Sequence, residues 1–452
     1  MLRIIKLKVF RSCMKRKLKK KVKIFIVIIF ILTVVLGALL LFKPSKNSVK
    51  KENKVDINIV DKVYKRINDD EINIEFLTWI NKNYKDSLNK INKLLKKDSY
   101  DRKMWHEATG NSFIVLKDLY ENKYENMDNV KIISSKDQST ISFVGDVSLA
   151  DNWFIAPVYD ERGGISGILG DKMLKIMTSS DVMIANSEFT VSSRGAKIPN
   201  KMYTFRAKKE RLSIYDEMGV DMVTLANNHV YDYGADAFLD MLDAFNEYKI
   251  PHIGAGHNIE EAKKPFYFII NGYKFAFVSA TRAEKFILTP GATDTEPGVF
   301  RCYDPTDMIN LIKELRPNND YVIPIIHFGR ENSHSLEDEQ VSSAKAYIDA
   351  GADMVVGHHA HTLQGIEIYN DKPIIYNLGN FLFNNETIDT ALFQVLLNND
   401  GTMEYYMIPA LQSNSKTEVL EGDDKIRVIN DINSYSVNVR LDENGKIMKE
   451  DL

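Results

Sequence analysis

Met354-Val355-Val356-Gly357-His358-His359-Ala360-His361 is a short apolar run that breaks, after one glycine, into three imidazoles within four residues. A compact β-branched run bounded by glycine reads as a buried strand. In an extended segment side chains repeat every second residue, so His359 and His361 are expected on one side. Two neutral imidazoles on one face suit Zn, Mn or Fe. Taken alone, the cluster also fits, less well, a polar surface loop.

The same arrangement recurs upstream. The apolar run 141–144 ends in Gly145-Asp146, the run 182–185 in Asn186-Ser187-Glu188, and the run 222–225 leads to Ala226-Asn227-Asn228-His229, followed by Asp232 and Gly234. His327 closes the run 321–326 and opens into Phe328-Gly329-Arg330-Glu331. Singly, Gly-Asp reads as an ordinary turn and His327 as a structural histidine. Together, five of the nine histidines follow expected strands, joined by Asp146, Glu188 and Asn228. A mixed nitrogen and oxygen set of this kind resembles a two-metal hydrolytic site.

Further strands are expected over 266–270, 275–279, 373–376 and 391–397, with helices between them, for example over 235–248 and 337–350. This alternation predicts an α/β domain over 136–412, roughly 280 residues, with a C-terminal extension over 413–452. Ahead of it, the stretch 43–135 reads as a tether followed by a helical stalk or small module. Phe76, Trp79, Ile80, Tyr84, Leu88, Ile91, Leu94 and Leu95 recur there at three- and four-residue steps. Its Lys and Asn content also fits a loosely ordered segment.

Residues 24–42 are nineteen residues without a charge. As a helix that run is ~29 Å long, the thickness of a bilayer core, and longer than the ~7–15 apolar residues of a cleaved signal. Eleven basic residues and no acidic one occupy 1–23. The positive-inside rule then predicts a cytoplasmic tail, a transmembrane helix over 24–42 and an extracellular main domain. Taking those eleven from 59 Lys and Arg leaves 48 against 62 Asp and Glu, about −14 for the exported part. That balance argues against a nucleic-acid partner, and an anionic polymer would have to be gripped locally by a metal or a few cations. Cys13 and Cys302 fall on opposite sides of the expected membrane, so no internal disulfide is expected.

Taken in order, these motifs resemble the CapA family, bacterial proteins of capsular poly-γ-glutamate synthesis, over about 139–410. They stand as Phe143-Val144-Gly145-Asp146-Val147, Ala185-Asn186-Ser187-Glu188, Asn227-Asn228-His229 with Asp232 and Gly234, His327-Phe328-Gly329-Arg330-Glu331 and Gly357-His358-His359-Ala360-His361. Tyr376-Asn377-Leu378-Gly379-Asn380-Phe381 completes the set. The resemblance implies a four-layer α/β/β/α sandwich similar to calcineurin-like metallophosphoesterases, holding divalent metal ions, two of them, as Mn, Zn or Fe. It implies Asp146 on the first metal, Glu188 in the bridging place, Asn228 and His327 on the second, and His359 and His361 completing the pair, with His358 left open as the alternative to His359. His229 would be the general acid or a transition-state stabiliser.

Ser148 stands where the superfamily has a histidine, which puts one metal position in doubt. Phe328, Asn332, Ala360 and Ser187 stand where the family more often has Trp, Tyr, Pro and Leu. Two functions remain open: a subunit of capsule synthesis and export working with synthase subunits, and a cell-envelope metal-dependent hydrolase of a phosphoester or of poly-γ-glutamate.

Overall fold

The computed structural model describes residues 57–95, 99–284 and 288–450, and in it the apolar runs become two main sheets. The first has seven strands in the order Val130–Ile132, Phe266–Ile270, Tyr273–Thr281, Tyr321–Phe328, Val355–His359, Lys372–Ile375, Ile366–Tyr369. The second has eight on or beside its path: Lys416–Val419, Met403–Ser413, Ile388–Asn398, Gln138–Val147, Val182–Ser187, Met222–Thr224 and His252–Ile253, with Asn380–Leu382 pairing alongside Gln138–Val147. The strands that carry the polar tips run parallel in each sheet, Tyr273–Thr281 through Val355–His359 in one and Gln138–Val147 through Met222–Thr224 in the other.

Alternation along the strands sorts the core into three layers. Phe143, Ile184 and Met222 of one sheet meet Phe277, Ile325 and Val356 of the other in a shared apolar core. The alternate residues face outward onto helices. Val144, Met183 and Val223 pack with Met173, Tyr215 and Phe238 from the helices Asp171–Ser179, Ser213–Met218 and Ala235–Glu247. Ala280, Ile326 and Val355 pack with Met308, Ile312 and Tyr347 from Thr306–Leu315 and Asp338–Asp349. Each sheet therefore buries one face against the other sheet and one against helices.

The strands run further than the apolar runs that predicted them. Asp146, Asn186 and His327 all lie inside paired strands, where expectation put them just beyond. Sheet hydrogen bonds are blind to side-chain polarity, so pairing continues as long as neighbours are present.

The described residues of 57–124 form five short α-helices, Ile57–Tyr64, Ile74–Asn83, Ser87–Leu94, Lys103–Thr109 and Phe113–Tyr120. Asn73 Oδ1 caps the second by accepting from Phe76 N at 2.8 Å, and Ser112 Oγ caps the last by accepting from Val115 N at 3.2 Å. Their aromatic positions converge on Phe76, whose ring meets those of Trp105, Phe113 and Tyr120 edge-on. The cluster rests on the tight turn before Tyr273–Thr281. A side chain at Gly272 would place its Cβ 2.0 Å from Gly110 O, so only glycine allows this approach.

The stretch 413–452 adds the edge strand Lys416–Val419, the helix Gly422–Tyr435 and a small pair, Val439–Leu441 with Ile447–Lys449. Val428, Ile429 and Ile432 of that helix join the inter-sheet core. Among the described residues no helix is long and apolar enough to cross a membrane. The expected anchor 24–42 and Cys13 lie outside the described residues, and Cys302 is buried as a free thiol.

Candidate metal centre

The site begins where the inter-sheet core stops being apolar. The inward positions that follow Ile184, Met222 and Ile325 are Asn186, Thr224 and His327, and register aligns Asn186 with Thr224 and with Asp146. Asp146 reaches this face through an irregularity. Pairing with Val182–Ser187 shifts between Phe143 and Asp146, so two residues oppose one and the side-chain phase flips. Phe143 and Asp146 then both face the opposite sheet. Gly145 permits the bend, because a Cβ there would lie 1.9 Å from Gly379 O.

His358, inward on the facing strand, crosses to the other sheet and pairs its Nε2 with Val144 O at 3.0 Å. His359 and His361 adopt positive φ, 98° and 58°. They approach the cluster by leaving the extended conformation, not by the two-residue alternation of a continuing strand. Non-glycine residues seldom occupy that region, and such strain gathers at functional sites.

Asn186 is the hub. Its Nδ2 donates to Asp146 Oδ1 at 2.8 Å and Glu188 Oε2 at 3.0 Å, while its Oδ1 accepts from Thr224 Oγ1 at 3.0 Å and Asn227 Nδ2 at 3.1 Å. Glu188 Oε1, fully buried, has no hydrogen-bond partner. Around it stand His327 Nε2 at 3.7 Å, His361 Nε2 at 3.9 Å and His229 Nε2 at 4.0 Å. Two buried groups of potential ligand atoms result, Glu188 with His327 and His359, and Asp146 with Glu188 and His361. Glu188 belongs to both.

Separations of 3.7–4.0 Å are too long for hydrogen bonds. Ligands on one ion with bonds near ~2.1 Å stand ~3.0–3.4 Å apart, and the potential ligand atoms of each group already lie within 4.8 Å of one another, so each would close on a cation by drawing in. Asn228 Oδ1 lies 2.8 Å from His327 Nε2, a spacing that lets both reach one ion. The residues fit a metal.

A model of the bacterial capsule synthesis protein PGA_cap matches residues 140–385, the span that carries every strand tip of the cluster. This chain belongs to the PGA_cap family. It is 32% identical over 287 residues to the PGA biosynthesis protein CapA of Bacillus subtilis, covering 61% of this chain and 72% of that one. With the capsule biosynthesis protein CapA of Bacillus anthracis it shares 34% over 262 residues, 56% of this chain and 63% of the relative. Among solved structures it is similar to a Staphylococcus aureus chain given a 5′-nucleotidase name, at 15% identity and a TM-score of 0.39 over 66% of this chain and 58% of that one.

In this PGA_cap site the electrostatics follow from burial. Desolvation and the nearby Asp146 charge push the Glu188 carboxyl well above the usual carboxylate range. Burial also pushes Asp146 upward, but His361, His358 and Asn186 outweigh it and hold Asp146 low. Desolvation and neighbouring imidazoles drive His327 far below an ordinary histidine, and burial with His361 lowers His359 to about 3. His361 is pulled down by burial yet ends raised, because the Asp146 carboxylate stands 3.4 Å from its Nδ1. Burial thus disfavours the charged forms of His327, His359 and Glu188, a balance that a divalent ion would reverse at the carboxyl.

The remaining expected residues support the cluster. His229 Nδ1 meets Asp232 Oδ2 at 2.8 Å, and His229 N donates to Asn227 Oδ1 at 3.0 Å. Asn380 Oδ1 lies 2.8 Å from His361 Nδ1, and Asn377 Oδ1 accepts from Gly379 N at 3.0 Å. Glu331 is exposed, with Oε1 3.9 Å from His359 Nε2. His358 stands apart from both ligand groups. Sequence reasoning missed Lys201, which lies in a polar stretch with no apolar run before it to mark it as buried. The rings of Phe205 and Phe383 wall the site, 4.4 Å from His229 and 4.6 Å from His361.

Proposed function

We propose that this chain is a membrane-anchored protein of capsular poly-γ-glutamate synthesis or export whose exported domain holds two divalent ions, Mn, Zn or Fe. The observation that carries the metal reading is the Glu188 oxygen without a partner, shared by two buried ligand groups. Asp146 and His361 would hold one ion, His327, His359 and Asn228 the other, and Glu188 would lie between them. Paired sheets with helices on both outer faces fit the four-layer α/β/β/α metallophosphoesterase sandwich. Family membership supports the capsule setting, with synthase subunits as partners. The run 24–42 behind eleven basic residues supports an anchor with the domain outside, and protection of the whole domain from protease on intact protoplasts would refute that orientation.

A second reading, metal-dependent hydrolysis of a phosphoester or of the polymer amide, is favoured by the His229–Asp232 pair, which presents an oriented imidazole to the cluster. Bound metal would supply an activated water and polarise the attacked oxygen. With its Nδ1 proton donated to Asp232, His229 turns Nε2 toward the cluster, and it is the doubly protonated ring that would carry a proton there to hand to a leaving group. Phe205 and Phe383 keep bulk water from the flanks of His229 and His361.

The test is metal analysis of the full chain, then incubation with poly-γ-glutamate and with a phosphodiester. His229→Ala should keep its metal and lose about 10²- to 10⁴-fold in rate. Unchanged turnover would sink the acid role. Metal without turnover in the wild type would leave the capsule scaffold alone standing.

A further inference from the structure

Lys201 brings a cation to a cluster otherwise made of acids, amides and imidazoles. Its side chain is 4% exposed, and its Nζ meets Asp232 Oδ1 at 2.8 Å and Glu284 Oε2 at 3.1 Å. It also donates to the Asn228 carbonyl. The residue sits on the loop between the short paired strands Thr190–Val191 and Arg206–Ala207, and Ile198 N, donating to Asp232 O at 2.9 Å, ties that loop down.

Asp232 needs this cation. Its Oδ2 accepts from Phe205 N at 2.7 Å and bonds His229 Nδ1. Its Oδ1, fully buried, has no hydrogen bond of acceptable angle. The 2.8 Å ion pair with Lys201 is therefore what compensates that oxygen, and a buried carboxylate stripped of its cation would be driven to move or take a proton. The Asn228 carbonyl is held in parallel by Thr289 Oγ1 at 2.9 Å. Lys201 touches both ends of the segment that runs from Asn228 to Asp232.

We propose that Lys201 is a positioning residue: by gripping the Asp232 carboxylate and the Asn228 main chain together, it fixes His229 with Nε2 toward the Glu188 cluster. The inference deepens the hydrolytic reading and rests on it for the role of His229. Its geometric content stands on the distances above.

The experiment uses the full chain, labelled at histidine nitrogens, at saturating zinc. The His229 Nδ1 proton is identified as the downfield imidazole signal that His229→Asn removes. Lys201→Met is expected to abolish that signal and to weaken zinc binding about tenfold, in the range typical for groups that orient metal ligands. Lys201→Arg, which keeps charge and donors, should restore both. If the wild type turns over substrate, Lys201→Met should slow it about 10- to 100-fold and add no further loss in a His229→Ala background. A Lys201→Met protein that keeps the His229 signal unshifted, or a wild type without the signal, overturns the proposal. Should Lys201→Met fail to fold, Lys201→Gln, which retains a donor for the carbonyl but no charge for Asp232, decides in the same way. A wild type that holds zinc and shows the proton yet cleaves nothing ends the hydrolytic reading, while the Lys201 comparison is still decided by the proton.

Discussion

At the start of the Tyr273–Thr281 strand, Lys274 Nζ meets Asp118 Oδ2 at 2.6 Å; at its end, Thr281 pairs in register with His327, whose Nε2 is 3.7 Å from a Glu188 oxygen without a partner. Both ends bury charge, and they treat it differently. Asp118 also accepts from Tyr124 OH at 3.0 Å and Lys123 Nζ at 2.9 Å, so both its oxygens are engaged. At the far end Glu188 Oε1 and His359 Nδ1, both buried, have no hydrogen-bond partner, and the two residues belong to one ligand group. Buried polar groups in folded proteins are satisfied as a rule. The completed set at the strand starts joins the helical cluster to the sheet, and the set at the strand ends keeps the open buried atoms that the proposed cations would engage.

The largest expected effect breaks the open end. His359→Ala with His361→Ala takes one imidazole from each ligand group and should remove most bound metal, read by elemental analysis of the full chain, with folding retained. Wild-type metal content in that variant would place the site elsewhere. The matching change at the closed end is Lys274→Met, which leaves Asp118 buried with less compensation. Breaking a buried pair costs about 3–5 kcal/mol, softened here by Lys123 and Tyr124, so denaturant midpoints should fall clearly while metal content stays unchanged. Loss of metal in Lys274→Met without loss of stability would erase the distinction between the two ends.

Much of the open end was legible in the sequence because each strand announces itself as an apolar run and the polar residue after it is conspicuous. Asp146, Asn186, Glu188, His327 and the histidines after Gly357 were found that way. What escaped depends on backbone detail. The bulge that turns Asp146 inward and the positive φ of His359 and His361 leave no periodic trace, so expectation put both histidines on one face for a reason the backbone does not honour. Lys201 escaped because a lysine in a polar loop looks solvated until partners from Asn228, Asp232 and Glu284 converge on it. The closed end was less legible still. The three- and four-residue steps of 76–95 predict helices, but that Gly110 would press on Gly272 and Asp118 on Lys274 is fixed by contacts more than 150 residues apart in sequence.

The smallest expected effect sharpens the closed end through pH. Asp320 Oδ2 accepts from Ser112 Oγ at 2.6 Å and from Lys274 N at 2.8 Å, stitching the helical cluster to the strand. Burial pushes its carboxyl up to about 6, against the hydrogen bonds from Lys274 and Ser112 and the charges of Arg316 and Lys274. A folded-state value above the unfolded one means that the native protein holds this proton more tightly. The stability it contributes is therefore fully present below about pH 4 and is lost as pH rises through about 6, a shift of roughly two units or on the order of 3 kcal/mol. Asp320→Asn cannot ionise, so relative to the wild type it should gain stability across that window and level off above it. Urea unfolding of both proteins in chelator from acid to neutral pH isolates the difference, since the other carboxylates titrate alike in each. A wild-type and variant gap that stays constant with pH would show Asp320 ionising as a solvated acid, and the closed end would then owe its cohesion to the Asp118–Lys274 pair and apolar packing alone.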